Sequence, residues 1–276
     1  MRGMKKPRKI LAGMKFNKLK TYYLISYYSA SIYREYPLEF FMAILNRVLS
    51  YSSLLLFWFI TARFSSVQFS VNEIITYYLY VASVGELILG IGIGPASHIA
   101  KDSKYGQLSA KLLLPIKEIG YYVAHIIGQK MHFNMLAVAL LVVAVAVNPP
   151  NLSLGLGLML IPLLISAISI NISFNKMVAA IAIRTIDPSG IKNIFAHIIR
   201  FAGGFLIPLS LLPVLAQAVL FSLPFANSIY IPVALLTGRA VPPYAIVLGI
   251  LWGFMLPVIA EYAWRRSLKY YEAVGL

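Results

Sequence analysis

The sequence predicts an all-α integral membrane protein with six transmembrane helices, an N-terminal amphipathic interfacial helix and external re-entrant helices before the last span. Of the 276 residues, 60% are hydrophobic and 12% are charged, and the mean hydropathy is +0.79. Soluble domains contain about 45–50% apolar and about 25% charged residues. The apolar runs are roughly 20 residues long and do not alternate with polar residues, which favours helices that satisfy their own backbone hydrogen bonds in lipid. The basic residues lie in blocks between these runs.

Residues 1–37 are predicted to form a cytoplasmic basic tail followed by an amphipathic helix on the membrane surface. The stretch 16–36 is rich in tyrosine, whose ring and polar tip favour the membrane–water interface. Cations near anionic headgroups gain about 1 kcal/mol each. The basic residues of the tail are Arg2, Lys5, Lys6, Arg8, Lys9, Lys15, Lys18 and Lys20. No short apolar core with a small-residue cleavage site follows them, so no signal peptide is predicted.

Six spans are predicted within 38–264, followed by a cytoplasmic tail at 265–276. Their bounds are 38–60, 74–98, 121–146, 153–182, 194–222 and 242–264. The basic blocks fall on one side of this arrangement and contain Lys101, Lys104, Lys111, Lys117, Lys176, Arg184, Lys192, Arg265, Arg266 and Lys269. Lys and Arg accumulate in cytoplasmic loops. We therefore expect a multi-pass protein of the plasma (inner) membrane with both chain ends in the cytoplasm.

The stretch before the last span, 203–241, is apolar but interrupted by glycine and proline. Proline removes a backbone donor and ends or kinks a helix. Broken helices at membrane depth are tolerated where protein covers them, so short re-entrant helices in the outer leaflet are expected here. The residues that mark this region are Gly204, Pro208, Pro213, Pro224 and Phe225.

The loop 101–116 lies between the second and third predicted spans. It has a polar entry, a glycine, an amphipathic turn and a proline that leads into the next span. This pattern fits either a short cytoplasmic helix held close to the membrane or an ordinary loop. The residues of interest are Lys101, Asp102, Lys104, Gly106, Leu108, Leu112 and Pro115.

Gly106 followed by Pro115, with Leu112 and Leu113 between them, resembles the signature of ABC-2 type permeases. In that family this loop carries the coupling helix that docks on the ATPase subunit. The resemblance therefore implies that the seven loop residues named above couple this chain to an ATPase. If the coupling site lies elsewhere, the candidate is the loop 184–192 with its Asp187–Pro188 turn.

The broken region adds a second likeness, because it resembles the family's re-entrant segment before the last span. The motif residues run in the order Gly204, Pro208, Pro213, Leu223, Pro224, Phe225, Pro232 and Gly238. The likeness covers nearly the whole chain. It is closest to the less-characterised ABC-2 family transporter subgroup with shorter loops, since Ser109 and Lys111 follow the loop glycine where acidic residues usually flank it.

The resemblance implies the membrane-spanning subunit of an ATP-driven exporter. The expected partners are an ABC ATPase subunit that binds MgATP, a second permease subunit (identical or related) and membrane lipid. ATP would close the ATPase pair, and the facing first, second and fifth spans would then open. The apolar spans suit an amphipathic or lipid-like substrate.

Charged residues inside the predicted spans are candidates for a substrate path or for interhelical contacts. A charge at membrane depth costs at least about 2.5–3.5 kcal/mol. Arg47 and Glu86 lie deep and are predicted either to pair or to act as separate poles, and Asn171 is a further polar candidate. Lys130 and Glu261 are expected near the cytoplasmic interface, where long side chains extend towards water.

Several sequence features bear on other possible functions. The chain has no cysteine, its four histidines are scattered, and no Gly-x-x-x-x-Gly-Lys-Ser/Thr loop is present. No metal, nucleic acid or cofactor is therefore predicted on this chain, and no enzymatic activity. The alternatives are a secondary transporter that uses an intramembrane charge pair and, less favoured because the nine acidic residues are dispersed, an intramembrane lipid-modifying enzyme.

Overall fold

The computed structural model describes residues 17–64, 70–92, 94–150, 153–183, 185 and 189–271. The all-helical prediction is confirmed over them. The predicted basic tail up to residue 16, the Asp187–Pro188 turn and residues 272–276 lie outside these ranges. The helices are α1 (Lys18–Ala30), α2 (Ile32–Glu35), α3 (Pro37–Phe64), α4 (Val71–Gly92), α5 (Pro95–Lys104), α6 (Leu108–Leu112), α7 (Glu118–Gln129), α8 (Met131–Val147), α9 (Leu154–Ala182), α10 (Ser189–Ala202), a 3-10 turn (Leu209–Leu211), α11 (Val214–Ser222), α12 (Pro224–Ser228), α13 (Tyr230–Leu236) and α14 (Pro243–Leu268).

Four helical segments in the described part of the chain are long and apolar enough to cross a membrane. They are α3, α4 together with α5, α9 and α14. Helices α7 and α8 make a fifth candidate if they count as one span, although they are bent by 67°. The bend lies at Lys130, whose φ of −104° and ψ of 17° interrupt the helix. These segments overlap five of the predicted spans, those at 38–60, 74–98, 121–146, 153–182 and 242–264.

The structure differs from the prediction at the span 194–222, which is not one continuous helix. Helix α10 ends at Ala202, and Gly204 follows with a φ of +79°. That backbone conformation is accessible to glycine and ends a right-handed helix. Pro208 and Pro213 then remove two backbone donors, so the next regular helix, α11, begins only after Pro213.

Helix α4 lies at the centre of the fold. In the most apolar part of the α4–α5 segment 82% of the residues are buried, against 28% in α9 and in α14 and 6% in α3. The aromatic side chains Tyr77, Tyr78 and Tyr80 are buried, and α4 packs against α3, α8, α9 and α13. Helix α3 therefore contacts the core along a narrow side and leaves most of its apolar surface open to lipid or to a second chain.

Helices α9 and α14 pack side by side and run in the same direction. Ser169 Oγ donates to the Gly253 carbonyl (2.8 Å), and near the other end Ser267 Oγ donates to the Ala180 carbonyl. Pro257 lies inside α14 and has no N–H for the carbonyl one turn earlier, which is that of Gly253. The Ser169 hydroxyl supplies the missing donor. The proline of one helix is thus compensated by a serine of the other.

Helix α1 lies against α7, and two glycines of α7 allow this close approach. A Cβ atom at Gly128 would lie 2.1 Å from the Ser26 carbonyl oxygen, and one at Gly120 would lie 2.7 Å from Tyr22 Oη. Gly120 and Gly128 are about two helical turns apart and so lie on the same face of α7. Small residues at helix contacts bring backbones together in the same way within membranes.

We expect the substitution Gly128→Leu to detach α1 from α7 without unfolding the bundle. The new side chain would overlap the α1 backbone, whereas leucine is favourable within a helix. Limited proteolysis in detergent should cut the α1 segment at least about tenfold faster, because local opening determines cleavage. The control is Gly155→Leu, since a Cβ atom at Gly155 meets nothing within 4 Å. Equal cleavage rates in the two variants would show that the glycine does not hold α1.

Candidate functional site

An ion pair joins α3 to α4 within the apolar part of the bundle. Arg47 Nη2 lies 3.1 Å from Glu86 Oε1, and the two side chains are 28% and 8% exposed. The structure thus brings together two residues that the sequence offered either as a pair or as separate poles. An unpaired charge at this depth would be costly, so the pairing offsets part of the cost of burying the two side chains.

Two aromatic residues complete this pair. Tyr51 Oη donates to Glu86 Oε2 (2.5 Å), so both oxygens of the carboxylate are satisfied. The Arg47 guanidinium lies over the Phe133 ring, 4.7 Å from its centroid, a distance typical of a cation–π interaction. Neither aromatic residue was among the site residues predicted from the sequence. Tyr51 follows Arg47 by one helical turn, and that spacing could have identified it.

Two further cations lie close to this pair. Lys130, at the bend between α7 and α8, lies within the electrostatic field of Glu86, Arg47 and Arg200. The Arg200 guanidinium lies over the Phe205 ring at 5.6 Å. Lys130 was expected near the cytoplasmic interface, and that expectation stays a prediction. We call Arg47, Glu86, Lys130 and Arg200 the intramembrane charge cluster; it contains three cations and one carboxylate.

Asn171 belongs to a different part of the bundle. It is buried in α9, where its amide nitrogen donates to the Ala167 carbonyl (2.8 Å) and its Oδ1 has no hydrogen-bond partner among the described residues. One turn later, Asn175 Oδ1 accepts from the Gly94 backbone N–H (3.2 Å). Asn171 therefore lies in α9 among helix-packing groups, and no described contact links it to the intramembrane charge cluster.

The loop 101–116 folds into the end of α5, a turn and the short helix α6. Gly106 has a φ of +71°, which the turn between α5 and α6 requires. Leu108 is fully buried and packs in an apolar cluster with Ile99 and Trp264. Asp102 Oδ2 accepts from Tyr122 Oη at 2.7 Å. These contacts attach the loop to the ends of several long helices, so it is an ordered part of the bundle.

The opposite side of this loop is apolar and exposed. Leu113 is 84% exposed, and Leu112 and Leu114 are more than a third exposed. We call these three residues the leucine tip. The predicted coupling residues thus divide into two sets. Asp102, Gly106 and Leu108 build the loop, whereas the residues on its exposed surface are Lys101, Lys104, Leu112 and Pro115.

The predicted broken region passes through the core, where side chains of α3 and α4 donate hydrogen bonds to its backbone carbonyls. Tyr77 Oη donates to the Gly204 carbonyl (2.6 Å). The Leu206 carbonyl accepts from both Tyr78 Oη (2.8 Å) and Trp58 Nε1 (3.0 Å). Carbonyls that the helix break leaves free are therefore satisfied by α3 and α4, as irregular backbone within a membrane requires.

The remainder of this region contains the buried helices α12 and α13. Arg239 Nη1 donates to Ser210 Oγ (3.1 Å), so the two ends of the segment meet. Between them, Asn227 is fully buried and donates to Ser166 Oγ of α9 (2.9 Å) and to the Gly249 carbonyl of α14 (3.2 Å). Of the predicted residues here, Pro208, Pro213 and Pro224 each directly precede or begin a helical segment, and Phe225 stacks on Phe174 at 5.2 Å.

Two of the four scattered histidines come together in the fold. The rings of His98 and His125 lie 5.0 Å apart, and His125 Nδ1 shares a hydrogen bond with Ser29 Oγ of α1 (2.6 Å). Within the parts of the chain that the structure describes, no three His, Asp or Glu side chains are arranged to hold a metal ion.

Comparison with known protein families identifies one match. A family of proteins described as ABC-2 family transporter proteins matches residues 48–275, which is most of the chain. No curated protein matches the sequence. The matched range contains Glu86, Lys130 and Arg200 of the charge cluster, the loop with its leucine tip and the interrupted apolar region 203–241, and Arg47 directly precedes it. From its sequence match and its apolar helical architecture, this chain belongs to the ABC-2 family of transporter proteins and is a membrane permease.

Proposed function

We propose that this chain is the permease subunit of an ATP-driven exporter and that it couples to a separate ATPase subunit. The observation that carries the proposal is the leucine tip, an exposed apolar surface on an ordered loop of an ABC-2 family transporter. Exposed apolar residues on a rigid support are typical of surfaces that bind another protein. MgATP would bind to the partner subunit.

The anchoring of this loop suggests how force is transmitted. Leu108 packs against Trp264 of α14, and Tyr122 of α7 donates to Asp102. The Trp264 indole donates to Glu118 Oε1 (2.7 Å), which links α14 to the start of α7. A push on the leucine tip would therefore act on α7, α9 and α14 together. Closure of the ATPase pair on ATP is the proposed source of that push.

The proposed topology has six crossings with both chain ends in the cytoplasm of a plasma (inner) membrane. Five crossings are the apolar segments already described, and α10 followed by residues 203–212 makes the sixth. Helices α11, α12 and α13 would re-enter from the outer side. Arg265 at the end of α14 and Lys101 and Lys104 at the end of α5 lie at the proposed cytoplasmic ends, as the charge bias predicts. Helix α1 would lie in the interface plane.

The proposed substrate path lies beside α3, α4 and α10, and a second permease subunit would complete it. The exposed apolar surface of α3 supports such a partner, as does its low burial of 6%. Three residues of the intramembrane charge cluster, Arg47, Glu86 and Arg200, belong to these helices. The cluster would open when the helices separate. A path with apolar walls and one polar site, the intramembrane charge cluster, suits the outward movement of an amphipathic or lipid-like substrate.

One observation favours a second candidate function. Several charges within the membrane can bind or release ions, as happens in secondary transporters. The intramembrane charge cluster could serve in this way, although no internal repeat is visible in the sequence.

The experiment that separates these functions uses the chain purified in mild detergent from its native membranes and reconstituted into vesicles with whatever co-purifies. The proposal expects Mg²⁺-dependent ATP hydrolysis in the preparation and ATP-dependent movement of a fluorescently labelled phospholipid between leaflets. Movement that needs an ion gradient and proceeds without ATP would establish the secondary transporter and overturn the proposal.

A further inference from the structure

A groove lies between α9, α14 and the residue that precedes α7. Its volume is about 820 Å³, and it opens to the outside of the bundle. It is separate from the intramembrane charge cluster, since none of the four cluster residues lines it. Its lining includes Lys117, Ile165, Lys176, Val258, Glu261 and Arg265. We call it the α9–α14 groove.

One end of the groove is positively charged. Glu261 is shared between two cations: Arg265 Nε lies 2.6 Å from Glu261 Oε1, and Lys176 Nζ pairs with Glu261 Oε2. Lys117 adds a third cation to the lining. The Glu118 carboxylate also interacts with the Arg265 charge, but it accepts from the Trp264 indole and does not line the groove. The lining therefore has three cations and one acid.

The other end of the groove is apolar and exposed. Ile165 is 63% exposed, and Ile168 and Ile172 lie between it and the charged end. Val258, which is 70% exposed, lies about one turn before Glu261 on α14 and lines the groove beside the charged end. Ile165 precedes Lys176 by about three turns of α9, which is roughly 16 Å along the axis. This length matches half of the roughly 30 Å hydrocarbon core of a bilayer.

The floor of the groove offers no free polar group between these ends. Ser169 Oγ donates to the Gly253 carbonyl (2.8 Å), which Pro257 leaves without a backbone donor. Ser173 Oγ donates to the Ser169 carbonyl (2.7 Å). A ligand therefore meets charge at one end and hydrocarbon along the rest. A molecule that complements both is an amphiphile with an anionic head and an alkyl chain one leaflet long.

We propose that the α9–α14 groove binds one anionic phospholipid of the leaflet on the basic side. Its phosphate would contact Lys117 and Arg265, and one acyl chain would lie along Ile165 and Val258. Basic pockets between membrane helices recognise anionic headgroups in this way. This site is distinct from the proposed substrate path, and it holds whether transport is driven by ATP or by an ion gradient.

The first test measures lipid binding to the purified full chain in detergent by the rise in its unfolding temperature. Dioleoyl phosphatidylglycerol should stabilise the wild type more than dioleoyl phosphatidylcholine does, because a ligand of the folded state raises its stability. The pair of substitutions Lys117→Gln and Arg265→Gln should weaken phosphatidylglycerol binding about thirtyfold, at about 1 kcal/mol per cation. Lys117→Gln alone keeps both ion pairs of Glu261 and should weaken it about fivefold.

The control pair is Arg266→Gln and Lys269→Gln. It also removes two positive charges, both at the end of α14 that carries Arg265, but neither residue lines the groove. If the control pair weakens phosphatidylglycerol binding as much as the groove pair does, the effect comes from general surface charge, and the proposal is overturned.

The second test fills the apolar part of the groove that adjoins the charged end. Val258→Trp should block phosphatidylglycerol binding, whereas Val247→Trp should not, since Val247 is exposed on the same helix outside the groove. Soluble glycerol 1-phosphate is offered in parallel. If it protects the chain as strongly as the lipid, or if Val258→Trp binds lipid normally, the groove is an anion site only and the proposal fails.

Discussion

Replacing Glu86 with alanine is expected to destabilise the folded chain by about 3–5 kcal/mol, the cost of removing one partner of a buried ion pair. The substitution leaves the Arg47 guanidinium, 28% exposed, without its carboxylate at 3.1 Å. It also leaves the buried Tyr51 hydroxyl without its acceptor. Chemical unfolding of the purified chain in detergent measures the loss.

The matched control is Glu39→Ala, since Glu39 is an exposed acid in the first turn of α3. Its effect should stay within about 0.5 kcal/mol. The reversed pair, Arg47→Glu with Glu86→Arg, should recover much of the stability that either single reversal loses, because the interaction is mutual. If the reversed pair is no more stable than the single variants, the ion pair is not what holds α3 to α4.

Much of the fold could be predicted because hydropathy reports long apolar helices directly. The predicted span 153–182 corresponds to α9 at Leu154–Ala182, where Ser153 accepts from the Leu156 N–H at the start of the helix. The predicted span 38–60 corresponds to α3, which continues to Phe64. Hydropathy failed at 194–222, because the residues after Ala202 stay apolar while Gly204 and the prolines that follow end the helix.

The candidate site was less predictable because its contacts are long-range. Lys176 was assigned to the basic blocks on the cytoplasmic side, yet its side chain is only 9% exposed and pairs with Glu261 on a helix distant in the sequence. Within the loop 101–116, the sequence could not tell that Leu108 points into the bundle and Leu113 away from it. That division depends on how α6 is rotated against α7, α9 and α14, which only the tertiary packing sets.

Because α6 is rotated so that Leu113 is exposed, the ATPase-coupling hypothesis can be tested by a substitution that leaves the core intact. Leu113→Glu should abolish stimulation of ATP hydrolysis by the permease, with a fall of at least about tenfold, because a central apolar residue of an interface contributes about 2 kcal/mol or more. The chain should still fold, since Leu113 is 84% exposed and supports no core contact. Hydrolysis by the reconstituted complex and unfolding of the variant in detergent give the two readouts.

Leu154→Glu is the matched control, because Leu154 has the same 84% exposure and lies at the start of α9, away from the leucine tip. It should leave stimulated hydrolysis within about twofold of the wild type, as surface changes outside an interface do. Gly106 and Leu108 are poor choices for this test, since the φ of +71° and the complete burial mean that changes there disturb the loop itself. Normal stimulation in Leu113→Glu would move the coupling site away from α6, and the loop 184–192 would then be the next segment to change.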